Sequence, residues 1–142
     1  MAGYSGTPLP KKLGIKDNHV VALLDAPDGF VPTLTPLPRD VALHAELAAA
    51  ESFDVILFFT KSRADLQRRF RALMKVLHPD GGLLVSWPKK ASGVATDITE
   101  DVVREIALAA GLVDNKVCAV DETWSGLRLV VRLKDRPKKK AK

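Results

Sequence analysis

Residues 13–30 read LGIKDNHVVALLDAPDGF, and the run His19–Asp25 within them decides the fold class. HVVALLD is apolar throughout its middle and holds two adjacent valines. A run of that length and composition suits a strand buried on both faces, as in the centre of a parallel sheet. Ala26-Pro27-Asp28-Gly29 then breaks it. Downstream, FVPTLTPLP holds Pro32, Pro36 and Pro38, which leaves room for one short helical turn at most, over 29–34. DVALHAEL predicts a second strand with Val41 and Leu43 on one face, although its alanines would equally suit a helix.

Further along, Asp54–Phe59 in ESFDVILFFT is the clearest buried strand of the chain. Ser62-Arg63-Ala64-Asp65 opens a helix whose apolar stripe is Leu66, Phe70, Leu73, Met74 and Leu77. Arg68, Arg69, Arg71 and Lys75 lie mostly off that stripe and read as a solvated face. His78-Pro79-Asp80-Gly81-Gly82 is expected to stop the helix in a tight turn. LLVSW is a strand and PKKASG a loop. Asp97 or Thr99 is expected to cap a helix with the buried stripe Val103, Ile106, Ala107 and Ala110, closed by Gly111. LVDNKVCAVDE is then a strand, TWSG a hairpin turn, and LRLVVRL a strand. In the last, Leu127, Leu129 and Val131 face one way and Arg128, Val130 and Arg132 the other.

Alternating strands and helices imply a parallel sheet with right-handed crossovers, and a very short last turn makes the final pair antiparallel. The expectation is one Rossmann-like, three-layer α/β domain over 12–135. Its sheet is mostly parallel, with about six strands and an antiparallel C-terminal hairpin. Residues 1–11 form an irregular lead-in, in which LPKKLGI could make a short helix or turn, and 136–142 a basic disordered tail.

Hydrophobic residues make up 46% of the 142 and charged residues 27%, the balance of a globular domain with one core. No apolar run approaches the roughly 20 residues of a bilayer span, and MAGYSGTPLPKK lacks the apolar segment of a secretory signal. The expectation is a cytoplasmic protein with no membrane partner. Lone Cys118 fits a reducing compartment and reads as a core thiol. His19, His44 and His78 have no metal-ligand spacing, and no nucleophile–base pair is visible. The net charge of +5 sits largely in the tail PKKKAK. With no interleaved aromatic residue, that tail reads as solvated, and nucleic acid is not the favoured partner.

LGIKDNHVVALLD, LMKVLHPDGGLLVSW and TEDVVREIALAAGLV resemble segments of class I S-adenosylmethionine-dependent methyltransferases. They are similar to the lead into the first strand, the late helix–turn–strand and the last helix of that fold. More narrowly, the stretch from WPKKASG to RLVVR resembles the C-terminal half of a family of short bacterial proteins known only as a domain of unknown function. The methyltransferase resemblance implies S-adenosylmethionine as a possible cofactor, held by the loop after the first strand and an acid after the second. The corresponding residues here are Asp25, Asp28, Gly29 and Glu46. The pattern departs at that loop. DAPDGF has one glycine and a proline where a glycine cluster would admit close approach of the backbone. There is also no room for a further helix and strand before ESFDVILFFT.

In an open α/β sheet, ligands sit beyond the carboxyl ends of the strands. Those ends carry Lys61, Ser62, Lys89, Lys90, Ser92, Asp121 and Trp124, a set suited to an anionic small molecule beside an aromatic wall. The bland alternative is an exposed lysine pair with Trp87 and Trp124 packing across strands. Three readings follow. The first is a degenerate methyltransferase-like module that binds a small anionic ligand or a protein partner. The second is an active methyltransferase with a divergent cofactor loop. The third and weakest is a nucleic-acid-associated protein using its tail.

Overall fold

The computed structural model describes residues 8–50 and 52–136. Residues 1–7 of the expected lead-in and 137–142 of the expected tail lie outside the described residues. The elements in chain order are α1 (Leu9–Lys12), β1 (Val20–Leu24), β2 (Ala42–His44), β3 (Phe53–Phe59), α2 (Arg63–Lys75), β4 (Leu77–Pro88), α3 (Glu100–Ala110), β5 (Leu112–Ala119) and β6 (Trp124–Val131). One six-stranded sheet has the order β2-β1-β3-β4-β6-β5. The pairs β1–β2, β1–β3 and β3–β4 are parallel, and β6 runs antiparallel to both β4 and β5. The expected fold class is therefore what forms.

The strands with continuous apolar runs are the central ones. Four of the five residues of β1 and six of the seven of β3 are buried, because both faces of the sheet are covered. One face packs Ile56, Phe58, Leu83 and Val85 against Leu66, Phe70 and Leu73 of α2 and Val103, Ile106 and Ala107 of α3. The other packs Val21, Leu23, Val55, Leu57 and Phe59 against Leu13, Ile15, Phe30 and Leu34. Each buried Val, Leu, Ile or Phe among them contributes about 1.5–3 kcal/mol of hydrophobic stabilisation. No helix joins β1 to β2. The link is a four-residue 3-10 turn, Val31–Leu34, inside the proline-rich segment.

Four local expectations are corrected. Leu77 does not continue the α2 stripe; it opens β4, where the N–H of Phe53 bonds to the carbonyl of Val76 at 2.7 Å. His78–Gly82 is not a free turn. It lies within β4, which bulges as the pairing moves from Phe53↔Leu77 to Val55↔Gly82. Ala110 lies on the side of the stripe but is exposed, as the last residue of α3. TWSG does not make the hairpin turn, since β6 already begins at Trp124. The turn lies before it, where Asp121 Oδ1 accepts the backbone N–H groups of Thr123 and Trp124, each at 2.8 Å.

The two helix starts resolve differently. Thr99 caps α3 by accepting the N–H of Val102. Asp97 instead reaches back to α2, accepting the N–H of Arg63 at 2.7 Å. Gly111 ends α3 at φ 104°, the left-handed conformation that favours glycine.

Candidate functional site

The chain leaves β1 toward β2 on one side and returns to β3 on the other, so the strand order reverses between β1 and β3. A crevice opens there by the topology of the sheet. Asp25 ends β1 at φ 57°, a left-handed conformation that aspartate tolerates better than most residues. Its Oδ2 accepts a bond from Arg69 Nη1 of α2 at 2.7 Å. The Arg69 guanidinium in turn lies 4.6 Å above the centre of the Phe58 ring. Arg69 falls three residues after Leu66, at the edge of the apolar stripe, and that spacing was the sequence signal for its clamping position. The sequence pattern alone assigns it to the solvated face.

Two hollows meet at Asp25. One, of 420 Å³, lies over the ends of β1 and β2 and is lined by Leu23, Ala26, Val31, Leu43, His44 and Ala45. The second, of 430 Å³, is lined by Pro27, Phe59, Thr60, Lys61, Ser62, Asp65 and Trp124. Trp124 stands edge-on to Phe59, ring centres 5.0 Å apart, and forms the aromatic wall. Asp28 and Gly29 are exposed on the turn after β1, Gly29 at φ 82°. Glu46 is exposed one residue past the lining of the first hollow. Of the four residues aligned with a cofactor loop, Asp25 alone lines either hollow.

The α2 N-terminus at the second hollow is already occupied. Its Arg63 N–H goes to Asp97, its Asp65 N–H to Ser62 Oγ and its Leu66 N–H to the Ser62 carbonyl. Ser62 therefore serves as a cap. Asp121 is likewise engaged, its carboxylate holding the hairpin turn. Ser92 Oγ donates to the carbonyl of Lys89 at 2.7 Å and shapes the loop after β4.

Lys89 and Lys90 line a third hollow, of 570 Å³, between that loop and the start of α3. Trp87 and Ile98 give it an apolar floor, and Thr96, Thr99 and Ser125 add hydroxyl groups. Among the described residues Glu100 is the one acid in its lining, and it pairs with Arg104. The carboxylates of Glu100 and Asp114 hold the Arg104 guanidinium above its ordinary pKa. Neither Lys89 nor Lys90 is ion-paired among the described residues. The residues expected to share one site are thus divided. Lys61, Ser62 and Trp124 gather at the crevice, Lys89 and Lys90 at the third hollow.

Thr96 and Thr99 went unread as lining residues because only the fold brings their loop against β4. Among the described residues, no group of three His, Cys, Asp or Glu side chains could hold a metal ion. No helix among them is long and apolar enough to cross a membrane.

A family model described as "Protein of unknown function (DUF3052)" matches residues 11–133, and the chain belongs to that family. No curated protein matches it in sequence. Solved structures share its fold. A putative type 11 methyltransferase from Sulfolobus solfataricus is 14% identical, with a TM-score of 0.63 over 92% of this chain and 93% of that one. An S-adenosylmethionine-dependent methyltransferase from Aquifex aeolicus is 16% identical, with a TM-score of 0.59 over 85% and 87%. Magnesium protoporphyrin IX methyltransferase from Synechocystis PCC 6803, solved with bound S-adenosylmethionine, is 11% identical, with a TM-score of 0.56 over 87% and 74%. At these identities the likeness is one of fold.

Proposed function

We propose that this member of the family is a methyltransferase-like binding module that does not transfer methyl groups. Its ligand is a small anion with an apolar part, held at the carboxyl edge of the sheet. One observation carries the reading: the turn after β1 leads through Pro27 into a four-residue 3-10 turn instead of a helix. No glycine cluster admits a cofactor there, no helix starts after β1 to aim its N-terminus at the crevice, and the N-terminus of α2 at the second hollow is already capped. Asp25 is drawn to Arg69 as well. The third hollow keeps the features of a small-molecule site, an apolar floor under two lysines that have no carboxylate partner among the described residues.

Thermal unfolding with S-adenosylmethionine and S-adenosylhomocysteine tests the first half of this reading. No saturable shift is expected. Tryptophan fluorescence titrated with phenyl phosphate, an aromatic ring joined to an anion, tests the second. Saturable quenching is expected, and it should disappear when Lys89 and Lys90 are both replaced by alanine. Quenching that survives the double replacement rejects the site.

A second reading rests on the two hollows that meet at Asp25. Together they offer room at the switch point, and the Asp25–Arg69 pair is partly exposed, so a ligand can compete for it. An active methyltransferase would use that crevice. Saturable stabilisation by S-adenosylmethionine, lost in Asp25→Ala, would put this reading first.

A further inference from the structure

We infer that the sheet face opposite α2 and α3 carries a binding site for a phosphate group, built from Arg128 and Lys116 of the β5–β6 hairpin. These two residues are direct cross-strand partners. Directly opposite residues project on the same face, and like charges placed so repel. The pairing results from a bulge. The register moves from Asp114↔Leu129 to Lys116↔Arg128, so Asn115 is passed over and Lys116 is the residue brought opposite the arginine. Asp114, left on the other face, is spent on Arg104.

Neither cation has a carboxylate partner among the described residues. Lys116 Nζ donates to the carbonyl of Lys12 at 3.1 Å, which holds its charge beside the end of α1. Arg128 Nε is the one buried side-chain nitrogen or oxygen without a hydrogen-bond partner among the described residues. The guanidinium lies against two glycines. A Cβ on Gly82 would overlap Nε, and one on Gly14 would sit 3.5 Å from it. Arg136, anchored by its Nε on the carbonyl of Val131, adds a further positive charge. Burial first, and then the Arg136 charge, draw the Arg128 pKa down.

A fold that half-buries an arginine, leaves its Nε–H unbonded and sets a lysine opposite it carries an electrostatic cost. A bound anion, reaching the outer guanidinium nitrogens and Lys116, offsets the repulsion between these charges. Phosphate suits the arrangement better than a single carboxylate. It brings up to two negative charges to several cations, and its oxygens match the guanidinium fork. The site is separate from the carboxyl-edge hollows, none of which Arg128 or Lys116 lines.

The test is thermal unfolding of the full chain with inorganic phosphate or pyrophosphate, potassium chloride holding ionic strength constant. At ten times the dissociation constant, a saturable rise of roughly 3–6 °C is expected. Arg128→Met should abolish it, and Lys116→Met should weaken the apparent affinity at least about fivefold, the loss of one charge-assisted contact. Without phosphate, Arg128→Met should unfold no lower than the parent, because it removes an unpartnered buried N–H. If that variant does not fold, Arg128→Lys keeps the charge, loses the fork and should still bind more weakly. A single-stranded oligonucleotide separates the sources of the phosphate. Salt-sensitive binding lost in Arg128→Met assigns it to a nucleic-acid backbone. Response to pyrophosphate without oligonucleotide binding assigns it to a free phosphorylated molecule. No shift beyond the chloride control with any probe, or an equal shift in Arg128→Met, overturns the site.

Discussion

Asp97, in the loop before α3, accepts the backbone N–H of Arg63, the first residue of α2, at 2.7 Å. Beside it, Thr96 Oγ1 donates to the carbonyl of Lys61 at 2.6 Å. The loop that borders the third hollow is thereby tied to the helix that borders the crevice.

Replacing Asp97 with alanine should cost about 1 kcal/mol, the usual value of a helix N-terminal cap. Asp97→Asn should recover most of the loss, since the amide oxygen still accepts. Urea unfolding of the two variants checks this. Equal losses would mean that charge, and not the hydrogen bond, sets the effect.

Asp121→Ala should destabilise the hairpin by about 1–3 kcal/mol, because one carboxylate oxygen bonds two backbone N–H groups. Asp121→Asn should be milder. Ligand binding at the third hollow should survive Asp121→Asn, since the residue serves the turn. Calorimetry of both variants, with phenyl phosphate as the probe, separates the turn role from a ligand role.

Gly81 and Gly82 are adjacent but differ in what excludes a side chain. A Cβ on Gly81 would lie 2.5 Å from the carbonyl oxygen of Asp54, a backbone atom that cannot move aside. Gly81→Ala should therefore cost roughly 1–3 kcal/mol in any background. A Cβ on Gly82 meets the Arg128 side chain instead. Gly82→Ala should be costly alone and much milder when combined with Arg128→Ala. A double-mutant cycle on unfolding free energies measures that coupling, and strict additivity would contradict the contact between Gly82 and the Arg128 side chain.

Burial pushes the Cys118 thiol above its ordinary pKa, while the charges of Lys116, Lys12 and Arg128 pull the other way. A raised folded-state pKa means that the native state holds its proton more tightly than the unfolded chain. This contribution is complete below the ordinary thiol value of roughly 8.5 and is lost as pH rises toward the folded-state value. Stability should thus fall more steeply above about pH 9 in the parent than in Cys118→Ala. The native thiol should also react slowly with Ellman's reagent at pH 8 and rapidly in denaturant. Fast native reaction would place the thiol at the surface.

The fold was legible because its signals are local. HVVALLD and DVILFF are apolar throughout since both faces of a central strand are covered, and the Leu66–Phe70–Leu73 spacing marks the buried side of α2. The missing glycine cluster after Asp25 could also be read directly, because backbone freedom belongs to residue type. Element ends were less legible. Gly81 and Gly82 look like a turn, yet lie in β4 because Asp54 O and Arg128 need the space. Trp124 and Ser125 look like a hairpin tip, yet pair with Pro88 and Trp87 because Asp121 closes the turn earlier. The grouping of charges was decided by tertiary structure alone. Asp25 with Arg69, Asp97 with the α2 terminus, and Lys116 across from Arg128 are joined by strand order, a bulge and a crossover. Sequence periodicity reports which side of its own element a residue occupies. It carries no information on what another element places opposite, and in this protein that decides which charges are spent within the fold and which remain for a ligand.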